Sequence, residues 1–489
     1  MSTTDLKKNF YGHNIAQSGA EGQAIYALKK VALHNLGCKV NACEMEEMAE
    51  SLKSMGFQIV AFDEVADFYI VNTCTVTQVA DKKSRQMLHR ARALNPDAVV
   101  VAAGCYVNIR GEEEIKKLGV DLAVPNNRKR EIPDLLKLMC RFGQNLATEP
   151  ENIKLPSFSD GLRRGKRTLS DDLTLSPEGH TRCFVKVQDG CNMYCSYCII
   201  PYARGKIKSE PIESIKKKVA ERAEKGYREF VLTGIHLSSF GLDRKAEKED
   251  LLSLVRALSG IPGVERIRLG SMEPRIVTDE FVKGLFEIPE ICPHFHLSLQ
   301  SGCDEVLRRM NRHYGTEDYI KAVERLRTAF DRPALTTDVI VGFPGETEDE
   351  FKETYAFLEK IELYETHIFK YSRRQGTVAA GMKGQVYSMD KLIRAAQLKE
   401  LDLRHRKSFS ESFLDGRIVE LLPEQEIEIE GKRYLKGYTR EYVAAAVPVE
   451  FASLNVPIAG RLKKVITIPH EHMEYRDFIM GFMPLNAEK

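Results

Sequence analysis

Short apolar segments alternate with amphipathic helical segments along most of this 489-residue chain. DFYIVNT and DAVVVAAG, for example, are apolar enough to be buried strands, and the charged segment QVADKKSRQMLHRARALN lies between them. Such alternation is typical of parallel sheets built from strand–helix–strand units. The chain is therefore predicted to be an α/β protein.

The first series of strands and helices is predicted at residues 27–143, after a polar N-terminal extension at 1–26. Residues 144–180 are polar, contain Pro, Gly and Ser, and show no apolar period. These features indicate a linker between two domains.

A second α/β series occupies residues 181–410, with strand candidates at 183–188, 229–234, 265–270, 295–300, 335–343 and 367–372. No G-x-G-x-x-G follows the first of these strands, so a flat dinucleotide-binding sheet is disfavoured. Six consecutive βα units favour a partial (β/α)6 barrel instead.

The pattern changes near residue 411, where apolar and polar residues begin to alternate between frequent turn residues. This alternation predicts a small antiparallel β barrel at residues 411–477. Residues 478–489 are interpreted as a tail.

Composition narrows the class of protein. Hydrophobic residues make up 43% of the chain, which excludes disorder over most of its length. There is no run of about 18 apolar residues and no apolar N-terminal segment, so a cytoplasmic protein without a membrane partner is expected. The eleven cysteines are an odd number, which argues against a disulfide framework and for thiols that are buried, catalytic or metal-binding.

Three cysteines lie on one short loop after the first predicted barrel strand. Cys191, Cys195 and Cys198, in DGCNMYCSYC, have the spacing C-x₃-C-x₂-C. Structural zinc sites need four ligands, whereas three thiolates suit an iron–sulfur cubane that leaves one iron open. A zinc site completed by a distant histidine is the alternative.

This cysteine motif resembles that of the radical S-adenosylmethionine (SAM) superfamily. The resemblance implies a [4Fe-4S] cluster whose open iron is chelated by SAM, and reductive cleavage of SAM to a 5′-deoxyadenosyl radical. The Glu of the family's usual Gly-Gly-Glu motif is absent here, so backbone carbonyls are expected to replace it. The SAM contacts implied by the resemblance are Tyr197, Thr233, Gly234, Ser271, Glu273, Gln300, Ser301, Arg312 and Val341. For Arg312, the alternative interpretation is an arginine whose side chain is solvated.

Three further cysteines, Cys38, Cys74 and Cys105, each follow a predicted parallel strand, in LGCKVN, VNTCTV and AAGCY. Ligands gather at the carboxyl ends of parallel strands, so these thiols can meet in space. Independent core cysteines are the alternative. Cys43, on the helix after LGCKVN, is the one rival ligand. The cysteines with no such arrangement are Cys43, Cys140, Cys183, Cys292 and Cys303.

The three predicted domains in this order resemble the methylthiotransferases, from about residue 28 to about residue 475. The resemblance implies that Cys38, Cys74 and Cys105 hold an auxiliary [4Fe-4S] cluster that carries the sulfur to be inserted. It also implies that the C-terminal barrel is a TRAM-like RNA-binding domain. No acid or base catalyst is expected, because the chemistry is radical chemistry at the clusters.

The segment LGCKVN is most similar to the branch that inserts a methylthio group at C2 of N6-threonylcarbamoyladenosine 37 in tRNA. Isopentenyladenosine in tRNA and a ribosomal-protein aspartate are the alternative substrates. The implied partners are the tRNA anticodon stem-loop and an electron-donor protein. Basic residues could neutralise RNA phosphates, although charge runs are more often solvated surface. The predicted RNA contacts are Arg204, Lys206, Arg461, Lys463 and Lys464.

Overall fold

The computed structural model describes residues 29–142, 182–467 and 478–487. The chain divides into two compact units, one of residues 1–169 with 202–204, and one of residues 170–201 with 205–489. The predicted extension at 1–26 and the predicted linker at 144–180 lie outside the described residues.

The first unit is built on a five-stranded parallel sheet in the order β2-β1-β3-β4-β5. Its strands are β1 (Lys30–Asn35), β2 (Gln58–Val60), β3 (Phe68–Thr73), β4 (Val99–Gly104) and β5 (Leu122–Val124). Every residue of β3 and β4 is buried, as expected for central strands covered by helices on both faces.

Helices cover both faces of this sheet. They are α1 (Lys39–Ser54), α2 (Gln78–Leu94), α3 (Cys105–Arg110), α4 (Glu112–Lys116) and α5 (Ile132–Phe142). Alternate residues of a strand point to opposite faces. Ile70 packs with α1 and α5, whereas its neighbour Val71 packs with α2, α3 and α4. The carboxyl ends of the strands are left for the loops that carry Cys38, Cys74 and Cys105.

The second unit contains a partial barrel. Among its described residues, six parallel strands follow one another in the order β6-β9-β10-β11-β12-β13, with β10 and β11 joined by isolated bridges. The six strands confirm the predicted (β/α)6 architecture. The strands of the partial barrel are β6 (Arg182–Lys186), β9 (Glu229–Thr233), β10 (Arg266–Leu269), β11 (His294–His296), β12 (Ala334–Val341) and β13 (Glu365–Lys370). A short antiparallel pair consists of β7 (Gln188–Asp189) and β8 (Lys208–Ser209).

Helices follow the barrel strands and bury their apolar faces in one large cluster with the outward-facing strand residues. The helix nearest the start of this series is α6 (Ile200–Arg204), and its last three residues belong to the first unit. The others are α7 (Ile212–Glu224), α8 (Leu251–Leu258), α9 (Asp279–Phe286), α10 (Asp304–Arg309), α11 (Thr316–Ala329), α12 (Glu348–Ile361), α13 (Val378–Gly381) and α14 (Ser388–Glu411). No described helix combines the length and apolarity that a membrane span requires.

The C-terminal part of the second unit is a closed barrel in the order β14-β15-β16-β18-β17. Its strands are β14 (Ile418–Ile429), β15 (Lys432–Thr439), β16 (Ala444–Pro448), β17 (Ile458–Thr467) and β18 (Phe478–Pro484). Two predictions are corrected. Residues 478–484 are not a tail but the strand that closes the barrel, because an open edge would leave backbone groups unpaired. The pairing of β18 with β16 is parallel, whereas the other pairings are antiparallel.

The C-terminal barrel packs on the partial barrel through buried ion pairs near the amino ends of β9 and β10. Glu229 accepts hydrogen bonds from Arg268 Nε at 2.7 Å and Arg266 Nη1 at 3.3 Å, and all three side chains are at most 2% exposed. Arg266 Nε also donates to Glu420 at 2.9 Å, and Arg268 Nη2 donates to the Thr439 carbonyl at 2.8 Å. Removing one partner of a buried ion pair is strongly destabilising. The two barrels therefore stabilise each other, and the opposite, carboxyl end of the partial barrel is left for the cysteine loop.

Candidate active site

The C-x₃-C-x₂-C loop follows β7 and presents sulfur atoms that already receive hydrogen bonds. The Cys198 N–H donates to the Cys195 carbonyl at 2.9 Å, which folds the loop back on itself. Arg312 Nη1 donates to Cys195 Sγ at 3.0 Å, and the Met193 N–H donates to Cys191 Sγ at 3.5 Å. N–H groups aimed at cysteine sulfur are the outer-shell contacts that tune iron–sulfur clusters.

Burial makes these thiols weak acids. It raises the pKa of Cys198 to about 12, and the neighbouring Cys195 and Cys191 push the pKa in the same direction. Burial likewise raises the pKa of Cys191. Three thiolates gathered here need the positive charge of a metal centre, which deprotonates coordinating thiols outright. The donor set and its environment therefore fit a cationic iron–sulfur cluster.

The second cysteine trio lies at the strand ends of the first unit. Cys38 precedes α1, Cys74 follows β3 and Cys105 begins α3 directly after β4, and the strands β1, β3 and β4 are neighbours in the sheet. Burial, reinforced by the nearby thiols of Cys105 and Cys38, raises the pKa of Cys74 to about 11. The predicted strand-end positions are confirmed, whereas the role of these cysteines as cluster ligands stays a prediction.

Two glycines allow this trio to form. Gly37 has a φ of +104°, and a Cβ there would lie 2.8 Å from Cys74 Sγ. Gly104 has a φ of +107°, and a Cβ there would lie 2.6 Å from the Thr73 carbonyl oxygen. Side chains rarely adopt such φ values, and here they would also collide with neighbouring atoms. The positive φ values and the close contacts therefore explain why a glycine precedes the cysteine in LGCKVN and in AAGCY.

Neither trio has the geometry of a single-ion site. Within residues 29–142, 182–467 and 478–487, the one group of three whose donor atoms all lie within 4.8 Å of one another contains no cysteine. Cysteines that hold a cubane each bind a different iron, so their sulfurs need not be so close. This spacing favours a cluster over the alternative of a zinc ion.

Sequence reasoning missed Asn126, which follows β5 at the same edge of the sheet. Its Nδ2 lies 3.5 Å from Cys105 Sγ and 2.8 Å from the Ala203 carbonyl oxygen, within the first unit. The position after a fourth parallel strand could have identified it, because such positions share one edge of the sheet. Cys43 is 3% exposed on the buried face of α1, as expected for a structural cysteine.

Glu273 lies just beyond β10 and is held by two neighbours. Burial alone would raise its pKa, but the neighbouring His236 and Arg275 and the charge of Arg312 lower the pKa to about 2. Arg275 Nε lies 2.9 Å and His236 Nε2 lies 3.4 Å from the carboxylate. Glu273 is therefore a fixed, ionised carboxylate on the side of the barrel that carries the cysteine loop.

Arg312 is not the solvated arginine of the alternative interpretation. Besides Cys195, its guanidinium contacts Tyr314, with Nε donating to the phenol oxygen at 3.0 Å and the cation over the ring at 4.7 Å. Burial opposes the charge, but Tyr197, Tyr314 and Cys195 raise the pKa of Arg312 above its usual value. Arg312 is a permanent cation beside the cysteine loop.

The other predicted SAM contacts fall into two groups. In the first group, Tyr197 lies beside the cysteine loop and packs on the cluster of Met310 and Phe343. The other members of this group lie at strand ends and are Thr233, Gly234, Gln300 and Val341. Gln300 has a φ of +75°, an uncommon conformation for a non-glycine residue and one that clusters at functional sites.

Of the two predicted serines, Ser301 departs from the prediction, whereas the role of Ser271 stays a prediction. Ser301 Oγ is buried, lies 3.1 Å from Thr354 Oγ1 and accepts from the Cys303 N–H at 3.3 Å. These contacts indicate a structural role, because the hydroxyl is turned to α12 rather than to a cofactor. Ser271 is exposed.

The predicted RNA contacts also divide. Arg204 and Lys129 both pair with Glu44, at 3.1 Å and 2.7 Å, and the Arg204 side chain is 0% exposed. This burial contradicts a contact between Arg204 and phosphate. Lys206 and Lys463 are exposed, and Arg461 Nε donates to the Gly416 carbonyl at 2.9 Å. The side chain of Lys464 lies outside the described residues.

Comparisons with known proteins identify the families to which parts of this chain are similar. Residues 185–358 match the Radical SAM superfamily, and residues 30–125 match a family described as Uncharacterized protein family UPF0004. Among solved structures, the radical SAM methyltransferase TsrM from Kitasatospora setae has a TM-score of 0.52 at 17% identity, covering 72% of this chain and 77% of that one. This likeness shows a shared fold.

Two curated relatives are methylthiotransferases. The threonylcarbamoyladenosine tRNA methylthiotransferase MtaB of Aquifex aeolicus is 39% identical over 412 residues, which are 83% of this chain and 97% of that protein. The tRNA-2-methylthio-N(6)-dimethylallyladenosine synthase of Thermoanaerobacter sp. is 32% identical, over 80% of this chain and 81% of that protein. With this similarity and two cysteine trios at the carboxyl ends of two parallel sheets, the chain belongs to the radical SAM methylthiotransferase family.

Proposed function

We propose that this protein inserts a methylthio group at C2 of N6-threonylcarbamoyladenosine 37 in tRNA. The observation that supports this substrate is the ranking of its relatives. MtaB proteins from three organisms are 36–39% identical to this chain, whereas dimethylallyladenosine synthases are 31–32% identical. N6-dimethylallyladenosine, which is isopentenyladenosine, is therefore the second candidate substrate.

The net change at the base is the replacement of C–H by C–S–CH₃. The family of this protein uses SAM and [4Fe-4S] clusters. One SAM would supply the methyl group, and a second would supply the radical. We propose that Cys191, Cys195 and Cys198 hold the cluster that supplies an electron to SAM. Cys38, Cys74 and Cys105 would hold the cluster that supplies the sulfur.

The surrounding residues position these groups. Arg312 keeps the Cys195 sulfur oriented, because its guanidinium remains charged and donates a hydrogen bond to that sulfur. Arg275 and His236 hold Glu273 in one orientation, so a carboxylate is available for a cationic group of SAM. Both contributions are electrostatic preorganisation, and neither requires transfer of a proton.

We also propose the partners and the location of the reaction. The tRNA anticodon stem-loop is the substrate, and Lys206 and Lys463 are the exposed basic residues we assign to its phosphates. A separate electron-donor protein reduces the radical cluster, and the reaction takes place in the cytoplasm.

The test is mass analysis of tRNA nucleosides from strains with and without the gene. We expect 2-methylthio-N6-threonylcarbamoyladenosine to be missing without the gene and restored by the wild-type chain. Cys74→Ser should fail to restore it. The matched control is Cys140→Ser, a half-buried cysteine on α5 of the same unit that belongs to neither trio.

Loss of the methylthio derivative of dimethylallyladenosine, with threonylcarbamoyladenosine unaffected, would replace the proposed substrate by the second candidate. Intact methylthiolation of both nucleosides would contradict a tRNA substrate altogether.

A further inference from the structure

We propose that His296, Asp338 and His367 form a binding site for one divalent transition-metal ion inside the partial barrel. The three residues lie on β11, β12 and β13, which are consecutive neighbours in the sheet. Asp338 is paired in register with His367, and His296 is paired with Thr336, two residues before Asp338. Residues two apart in a strand share a face, so all three side chains lie on one face of the sheet.

That face is the inner one. Phe295, Leu335 and Val339 alternate with His296 and Asp338 along the same strands, and they pack in the apolar cluster with the outer helices. The histidines and the aspartate therefore point to the barrel interior. One ligand atom from each residue lies within 4.8 Å of the other two, a separation that one ion can bridge with small rotations of the side chains.

His296 is already oriented as a ligand. Its Nδ1 lies 2.9 Å from Thr336 Oγ1, a hydrogen bond of the kind that commonly fixes the ring of a metal-binding histidine. Its Nε2 is buried and lies 3.3 Å from Asp338 Oδ2, yet no described residue makes a hydrogen bond to it. A buried ring nitrogen that makes no hydrogen bond and lies beside a carboxylate is suited to binding a cation placed between the two groups.

The donor set indicates the class of metal. Two imidazoles and one carboxylate suit zinc or iron(II), whereas calcium and magnesium prefer ligand sets made of oxygen alone. Three protein ligands also leave coordination positions open. The side chains of Asp338 and His367 are 29% and 46% exposed, so an ion from solvent can reach the site.

The site adjoins one of the positions assigned to SAM, because the Gln300 N–H donates to the Asp338 carbonyl at 2.8 Å. His296 precedes Gln300 by four residues, and Asp338 precedes Val341 by three, on strands that run towards the mouth of the barrel. At about 3.3 Å per residue, Asp338 lies roughly 10 Å from Val341 along β12. No cysteine of either trio lies on these strands.

The experiment measures metals in the holoenzyme with both clusters reconstituted. The protein is incubated with zinc sulfate, passed through a desalting column and analysed for zinc and iron by mass spectrometry. Asp338→Asn and His367→Gln are compared with the wild type, and both keep the size of the original side chain. His89→Gln, an exposed histidine on α2, is the matched control.

We expect about one zinc per chain in the wild type and in His89→Gln, with at least a tenfold loss in both site variants at unchanged iron content. Unchanged iron shows that the variants are folded and that zinc has not replaced iron on the cysteines. Equal zinc in the wild type and the site variants would overturn the proposal. So would a wild type that keeps no zinc through the column.

Discussion

Arg312 Nη1 lies 3.0 Å from Cys195 Sγ, so a half-buried cation donates a hydrogen bond directly to the central sulfur of the C-x₃-C-x₂-C loop. The two residues are far apart in sequence, and Tyr314 holds the guanidinium in place from the other side. This contact makes Arg312 an outer-shell partner of the proposed radical cluster.

Arg312→Met should lower SAM cleavage by about 10- to 100-fold, the usual effect of losing an outer-shell contact at a metal site. The variant should also lose iron faster to a chelator, because Cys195 no longer receives the hydrogen bond. Formation of 5′-deoxyadenosine and chelator-resistant iron are the measurements. Arg308→Met on α10 is the control, since that side chain is 74% exposed and pairs with Glu305. Equal behaviour of the two variants would contradict the role of Arg312.

Replacing Cys38, Cys74 and Cys105 together by alanine should separate the two clusters. The variant should keep about four irons per chain, the content of one cubane. It should still cleave SAM, because Cys191, Cys195 and Cys198 are unchanged, but it should produce no methylthiolated tRNA. Iron content, 5′-deoxyadenosine and tRNA nucleosides are measured on the same preparation. A variant that no longer cleaves SAM would show that the first unit is needed for the radical step as well.

Asp402 on α14 should make stability depend on pH near neutrality. Burial raises its pKa to about 7, although the hydrogen bond from the Thr366 N–H and the charge of Arg406 oppose the rise. The unfolded chain loses this proton near pH 4 and the folded chain only near pH 7. Stability from this group is therefore present below about pH 4 and is lost as pH rises to 7.

Asp402→Asn should consequently raise the melting temperature at pH 8. At this pH, folding of the wild type requires either that the Asp402 carboxylate takes up a proton or that it is buried with its charge. The gain is below about 4 kcal/mol, because one pKa unit corresponds to about 1.4 kcal/mol. It should shrink as pH falls towards 5. Melting curves at both pH values provide the test, and a substitution that destabilises equally at pH 8 and pH 5 would refute the raised pKa.

Lys463 on β17 should contribute to tRNA binding if the C-terminal barrel holds RNA. Lys463→Glu should weaken binding and reduce the slope of log Kd against log salt concentration by about 1, because phosphate contacts release counterions. Binding measured across a salt series tests this. Lys217→Glu is the control, since that side chain is 79% exposed on α7 of the partial barrel. Identical slopes for the two variants would place RNA recognition elsewhere.

Point substitution is preferable to deletion of the C-terminal barrel. Deletion would uncover Arg266, Arg268 and Glu229, whose charges are buried beneath that barrel. The deletion would also remove Glu420 and the Thr439 carbonyl, which accept hydrogen bonds from Arg266 and Arg268, so a truncated chain should be destabilised as a whole. Any loss of tRNA binding by such a chain would combine the loss of the barrel's RNA contacts with the loss of stability.

The sequence by itself determined the order of strands and helices and the positions of both cysteine trios. These features follow from local patterns. The C-x₃-C-x₂-C spacing brings Cys191, Cys195 and Cys198 onto one loop. Cys38, Cys74 and Cys105 follow strands that run in the same direction, so their meeting at one edge of the sheet requires only that the strands be neighbours.

Only the tertiary structure decided which distant side chains touch. It turned Ser301 towards Thr354, buried Arg204 against Glu44 and aligned His296 with Asp338 and His367. It also made residues 478–484 a barrel strand. Such pairings depend on strand register and on which surfaces become buried. Neither leaves a spacing pattern in the chain, because the free energy of each contact arises only after distant segments have packed together.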